Sequence, residues 1–161
     1  MTRDEFDPLY AFLQERRGRL KPFEIVLPQY NAPRSTVTST IAVDGAITAG
    51  ATNFMVDGVS SGSLRPGDMF NFTDSGNSNH KKVYQVTRVL TSTDYLTGNQ
   101  PTDSSHRVYY VTPSIEKSVS NDSTLDYTPT FRVIQTSDTL EYSLGTNNLY
   151  QFSLNLEEAQ P

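Results

Sequence analysis

The 161 residues make a chain the size of one ordinary domain, with no cysteine, no tryptophan and two histidines. That composition excludes disulfide frameworks, thiol catalysis and cysteine-held zinc or iron–sulfur sites, and it leaves too few histidines for a multi-histidine metal cage. A formal charge of −5 argues against general nucleic-acid binding, which needs basic stripes to neutralise phosphates.

The first element in chain order is the one good helix candidate. Thr2-Arg3-Asp4-Glu5 fits a capping box, with Asp7-Pro8 as a competing start. Phe6, Leu9, Tyr10 and Leu13 recur at spacings of three and four, giving one apolar stripe. Arg16 and Arg17 complement the C-terminal dipole, and Gly18 suits the left-handed terminating position. One short amphipathic helix cannot bury its own stripe, so it must pack on a sheet or on another subunit. The N-terminus has no basic stretch leading into an apolar one, so no secretory leader is read and synthesis and first use in a cytoplasm are expected. No apolar run approaches the length of a membrane span.

The rest reads as strands and turns. Phe23 to Leu27 is a short strand closed by Pro28, and Gln29 to Ser35 is a loop. Strands over Val37 to Val43 and Asn53 to Asp57 flank Asp44-Gly45. Arg65-Pro66-Gly67-Asp68 places Pro then Gly at the centre of a type II turn. Met69 to Thr73 is then expected to pair with Lys81 to Leu90, where Tyr84, Val86 and Leu90 share one face. Further strands are read at Arg107 to Thr112, Thr124 to Gln135, Thr139 to Leu144 and Leu149 to Leu156, the last two as a hairpin about Gly145 to Asn148. Many short strands between Gly, Pro and Asn turns predict a mainly β chain, a β-sandwich or barrel with one N-terminal helix. A single domain is expected, with residues 1–34 as helix, first strand and docking loop, 35–156 as the β body, and 157–161 as a loose tail. The charge divides unevenly: six basic and five acidic residues up to Arg34 leave +1, and seven basic and thirteen acidic beyond it give −6.

Chemistry is weakly signalled. His80 and His106 are read as solvated loop residues, because no nucleophile or carboxylate stands at a recognisable offset. Asp74 to Asn79 has Gly third rather than sixth and lacks a distal Glu, so it reads as a hairpin tip rather than a calcium loop. Glu116, Asp122 and Asp126 read as solvent-side strand carboxylates. No catalytic, cofactor or metal residues are assigned, and the chain is not read as an enzyme. The Arg16-Arg17-Gly18-Arg19 cluster with Lys21 reads as helix capping and solubility, as contact with an acidic partner subunit, or, least, as contact with nucleic acid. Tyrosines at 84, 95, 109, 110, 127, 142 and 150 suit half-buried sheet positions, an interface or a sugar-stacking site.

One extended pattern goes further. The run Phe12-Leu13-Gln14-Glu15-Arg16-Arg17-Gly18-Arg19 precedes Phe23-Glu24-Ile25-Val26-Leu27-Pro28, then Val43-Asp44-Gly45-Ala46 with Ala49-Gly50. Leu64-Arg65-Pro66-Gly67-Asp68-Met69-Phe70-Asn71-Phe72 and Lys82-Val83-Tyr84-Gln85-Val86-Thr87 follow. Over roughly the first ninety residues this order resembles structural proteins of tailed-bacteriophage tails, at the distal end or baseplate, related to the tail-tube family. The resemblance implies a virion protein, made and assembled in the host cytoplasm, that forms a homo-oligomeric ring, often hexameric. Such a ring joins the tail tube to the hub, contacts neighbouring baseplate proteins and continues the channel through which DNA passes transiently. No membrane partner and no cofactor are expected. The expected interface residues are Phe6, Leu9, Tyr10, Leu13, Arg16, Arg17, Arg19, Gln29, Tyr30 and Arg34. A rival expectation is a carbohydrate- or receptor-binding β-sandwich at the virion surface.

Overall fold

The computed structural model describes residues 1–94 and 100–159. Tyr95, one of the singled-out tyrosines, and the last two residues of the expected tail, Gln160 and Pro161, lie outside them. In chain order the elements begin with α1 (Arg3–Arg16), β1 (Phe23–Val26), a 3-10 turn (Pro28–Tyr30), β2 (Ala42–Val43), β3 (Asn53–Asp57), β4 (Met69–Thr73) and β5 (Tyr84–Leu90). They continue with β6 (Arg107–Thr112), β7 (Thr124–Asp126), β8 (Thr130–Gln135), β9 (Tyr142–Leu144), β10 (Tyr150–Phe152) and β11 (Leu156–Glu158). The chain divides into two compact units: Met1–Ile25 with the stretch from Arg132 onward, and Val26–Phe131. The stretch from Arg132, expected within the β body, thus joins the N-terminal helix instead. No described helix is long and apolar enough to cross a membrane.

The second unit is a closed antiparallel barrel in the order β2-β3-β6-β5-β4-β7. Alternation explains its interior. Phe54 and Val56 on β3 and Phe70 and Phe72 on β4 join Tyr84, Val86, Tyr109 and Val111 in one buried cluster. The Arg65–Asp68 turn forms as the sequence predicts: Gly67 takes φ 98°, and the Asp68 amide donates to the Arg65 carbonyl at 2.9 Å.

The face expected for Tyr84, Val86 and Leu90 is broken. Pairing of β5 with β6 slips between Val86 and Arg88, so one strand gains a residue and the alternation inverts. Val89, opposite Tyr109, then packs against the interior cluster, and Leu90 is buried outside it. The expected strand Thr124–Gln135 is also divided, at Tyr127-Thr128-Pro129, where proline offers no amide and restricts its predecessor. Of the strand expected at Val37–Val43, only Ala42–Val43 pairs.

His80 is not a solvated loop residue. It is buried, with Nε2 2.6 Å from the Tyr84 hydroxyl, which in turn accepts the Glu116 amide at 2.9 Å. Burial holds the imidazole pKa below the ordinary 6.5, with Lys117 pushing the same way against Glu116 and Asp74. Below pH 6.5 the unfolded chain therefore binds this proton more readily than the folded one. Stability from this site is complete above that pH and falls as pH drops below it. Urea midpoints at pH 7.5 and pH 5 should show this decline in the native chain and a smaller one in His80→Gln; an equal decline in both would refute the assignment. The hairpin tip beside it is organised by a buried carboxylate. Asp74 accepts from the Gly76 amide at 2.8 Å and the Ser120 amide at 3.1 Å, and these donors outweigh desolvation to hold its pKa below the ordinary value.

In the first unit, α1 starts at the capping box: the Thr2 amide donates to Glu5 Oε2 at 2.8 Å. Pro8 falls inside the helix, so the Asp7-Pro8 start is not used. Arg17, rather than Gly18, takes the left-handed cap at φ 54°, and Gly18 follows at φ 62°. Gly18 is required for a second reason, since a Cβ there would overlap the Asp138 side chain.

The remainder of this unit is a β-ribbon. β1, β8 and β11 form a sheet in the order β1-β8-β11, while β9 and β10 form a two-stranded hairpin. Gln135 pairs with Leu156 and Tyr142 with Phe152, so six residues on one side face three on the other. Ladder pairing lapses there, and a polar cleft of about 310 Å³ opens between Ser137–Glu141 and Ser153–Asn155. Glu157 and Glu158, expected in a loose tail, are instead paired strand residues opposite Ile134 and Val133.

Candidate docking surface

The helix stripe is not free. Phe6 and Leu13 are buried in their own unit. The Phe6 ring stacks on Tyr150 at 4.5 Å and on Tyr10 at 5.4 Å, with Tyr142 and Phe152 at 5.1 and 5.8 Å. The chain's own hairpin therefore covers the helix. Buried Gln135 donates from Nε2 to the Leu13 carbonyl at 3.1 Å, satisfying one of the helix's terminal acceptors. Leu9 and Tyr10 stay half-exposed.

The basic cluster is largely used inside the same unit. The Arg16 guanidinium sits 4.5 Å over the Phe12 ring, Arg17 caps the helix, and Arg19 Nε donates to the Thr136 carbonyl at 3.1 Å. Gln29, Tyr30 and Arg34 belong to the barrel unit. Gln29 is exposed and Tyr30 half-buried in the 3-10 turn. Arg34 is anchored: its Nε and its amide each lie 3.1 Å from Oδ1 of buried Asp68, whose Oδ2 accepts the Arg65 amide at 2.7 Å. The structure therefore brings Phe6, Leu9, Tyr10, Leu13, Arg16, Arg17 and Arg19 into one helical unit and assigns the three loop residues to the barrel.

The exposed apolar surface lies elsewhere than the stripe. Among the described residues the exposed large hydrophobics are Met1, Phe12, Leu20, Val26, Tyr142, Leu144 and Leu149, and none is on a barrel strand. Three of them belong to the hairpin: Leu144, 55% exposed, and Leu149, 38%, at its turn end, and Tyr142, 53%, at its base. Every residue of β9 is exposed. Met1 exchanges two backbone hydrogen bonds with Tyr150 on β10, at 2.9 and 3.1 Å. The other edge, β9, has no strand beside it among the described residues. A two-stranded ribbon with an apolar tip and an open edge is marginal alone in water and is a template for pairing. Sequence reading missed this feature because the alternation of Leu140, Tyr142 and Leu144 signals a strand without saying which face finds a cover.

His106 lies half-buried, 3.6 Å from an Asp44 carboxylate oxygen and 3.1 Å from the Ser105 hydroxyl. No group of three or more His, Asp or Glu among the described residues could hold a metal ion. Comparison of the chain with protein-family models and with curated proteins gives no match.

Proposed function

We propose that this protein is a virion structural subunit of tail-tube type, one that assembles into a ring at the distal end or baseplate of a phage tail. The observation that carries this reading is the separation of surfaces. The barrel strands expose no large hydrophobic residue, and the hairpin carries Tyr142, Leu144 and Leu149 beside an open strand edge. Burying such an edge against a neighbour satisfies its backbone groups and removes apolar area from water. The residues of the sequence pattern support the same reading, since the Leu64–Phe72 run forms a turn and a barrel strand that hold the Arg34 loop. The work of such a ring is geometric: it joins tube to hub, seats neighbouring baseplate proteins and continues the DNA channel. An acidic chain lining that channel would repel DNA rather than retain it.

The purified chain is therefore expected to form a closed ring, often a hexamer, by light scattering and negative-stain imaging. A chain that stays monomeric at high concentration would overturn the ring.

A second reading has one observation in its favour. The polar cleft at the ribbon's lapse is lined by Gln135, Ser137, Thr139, Glu141, Ser153 and Asn155, next in sequence to exposed Tyr142. Hydroxyl, amide and carboxylate groups beside an aromatic face are the chemistry of a sugar site, which keeps a glycan- or receptor-binding module as the alternative.

A further inference from the structure

We infer that a groove on the barrel, lined by Arg34, Arg65 and Arg107, binds an acidic peptide segment of a partner protein. This inference does not rest on the ring proposal, because it uses only the barrel unit. The groove, about 650 Å³, lies where β5 ends and β6 begins, beside the Arg65–Asp68 turn. Three of the chain's thirteen basic residues line it, with two carboxylates close by: Asp68, paired with Arg34, and Asp94, which accepts from groove-lining Thr91 and feels the Arg107 charge. In a chain of charge −5 that concentration runs against the overall balance.

The arginines keep donors in reserve. Arg34 binds Asp68 through Nε, and its two terminal nitrogens make no hydrogen bond to the described residues. Among the described residues Arg107 donates through Nη1 alone, to the Ser104 and His106 carbonyls at 2.7 and 2.6 Å. Arg65 forms no ion pair among the described residues. A guanidinium has five donors in a planar fork, so these groups are arranged for carboxylates. Arg34 is also positioned in advance: its partner Asp68 is buried, and a Cβ at Gly67 would press on the guanidinium at 3.0 Å.

The rest of the lining favours peptide over nucleic acid. Exposed Pro66 and the half-buried Val89 give the groove some apolar surface beside the cations. Alternating acidic and apolar side chains match that mixture. A phosphate backbone would need a longer basic track and would meet the repulsion of an acidic protein.

The test is fluorescence anisotropy of the full chain with a short labelled peptide of alternating glutamate and leucine, with labelled duplex DNA in parallel. Saturable peptide binding that weakens with salt is expected. Arg65→Glu should weaken it roughly tenfold or more, the scale of a lost charge-assisted contact made repulsive. Lys81→Glu, an exposed charge reversal not among the groove's lining residues, should change it by less than about twofold if only groove contacts matter. Absence of saturable binding, equal weakening by both variants, or tighter binding of DNA than of peptide would each overturn the inference.

Discussion

Tyr109→Ala should destabilise the barrel by about 4 kcal/mol, toward the upper end of what one core aromatic contributes. The ring has no solvent exposure and packs edge-on against Phe54 at 6.2 Å. Its hydroxyl lies 3.0 Å from the Ser63 hydroxyl and accepts the Leu64 amide at 3.3 Å. Truncation therefore leaves a cavity and at the same time strips a buried amide of its acceptor. Tyr109→Phe keeps the packing and loses only the polar contacts, so it should cost about 1–2 kcal/mol. Thermal unfolding checks both: for a domain of this size the alanine variant should melt on the order of 10 °C lower. Equal shifts in the two variants would show that the hydroxyl, not the ring, is what matters. Ser63 and Leu64 also line the arginine groove, so Tyr109→Phe should loosen that groove before it threatens the fold.

Much of this architecture is legible residue by residue. The helix is written in its capping box and apolar stripe, and the mainly β character in the alternation of Phe54 with Val56 and of Phe70 with Phe72. Local rules stop where partners are chosen over long sequence distances. Nothing near Phe6 says that Tyr150 will stack on it, so the stripe reads as an open docking face although the C-terminal hairpin covers it. Leu90 follows a period of two until a slipped register reverses it, and such a slip depends on the neighbouring strand. Glu157 and Glu158 look like a solvated tail because acidic residues are poor strand formers; pairing with β8 overrides that preference. Arg65 and Arg107 are distant in sequence, and only barrel closure makes them neighbours around one groove.

These covered and uncovered faces decide how the assembly proposal is best tested. A stripe variant such as Leu13→Asp would bury an unpaired carboxylate at a site 2% exposed, at a cost of several kcal/mol, and would unfold the helical unit whether or not a ring exists. The hairpin tip has no such ambiguity. Leu144→Asp with Leu149→Asp changes two exposed side chains while leaving Tyr142 in contact with Phe6 and Tyr10, so the folded subunit should lose less than about 1 kcal/mol. Two like charges at the tip would nevertheless make burial against a neighbour strongly unfavourable. The double variant should therefore melt within a few degrees of the native chain and run as a monomer by light scattering at concentrations where the native chain is assembled. If it assembles like the native chain, the hairpin is not the contact between subunits. If it melts far lower, Leu144 and Leu149 contribute to the fold itself, and the surface that carries the proposal is not a free one.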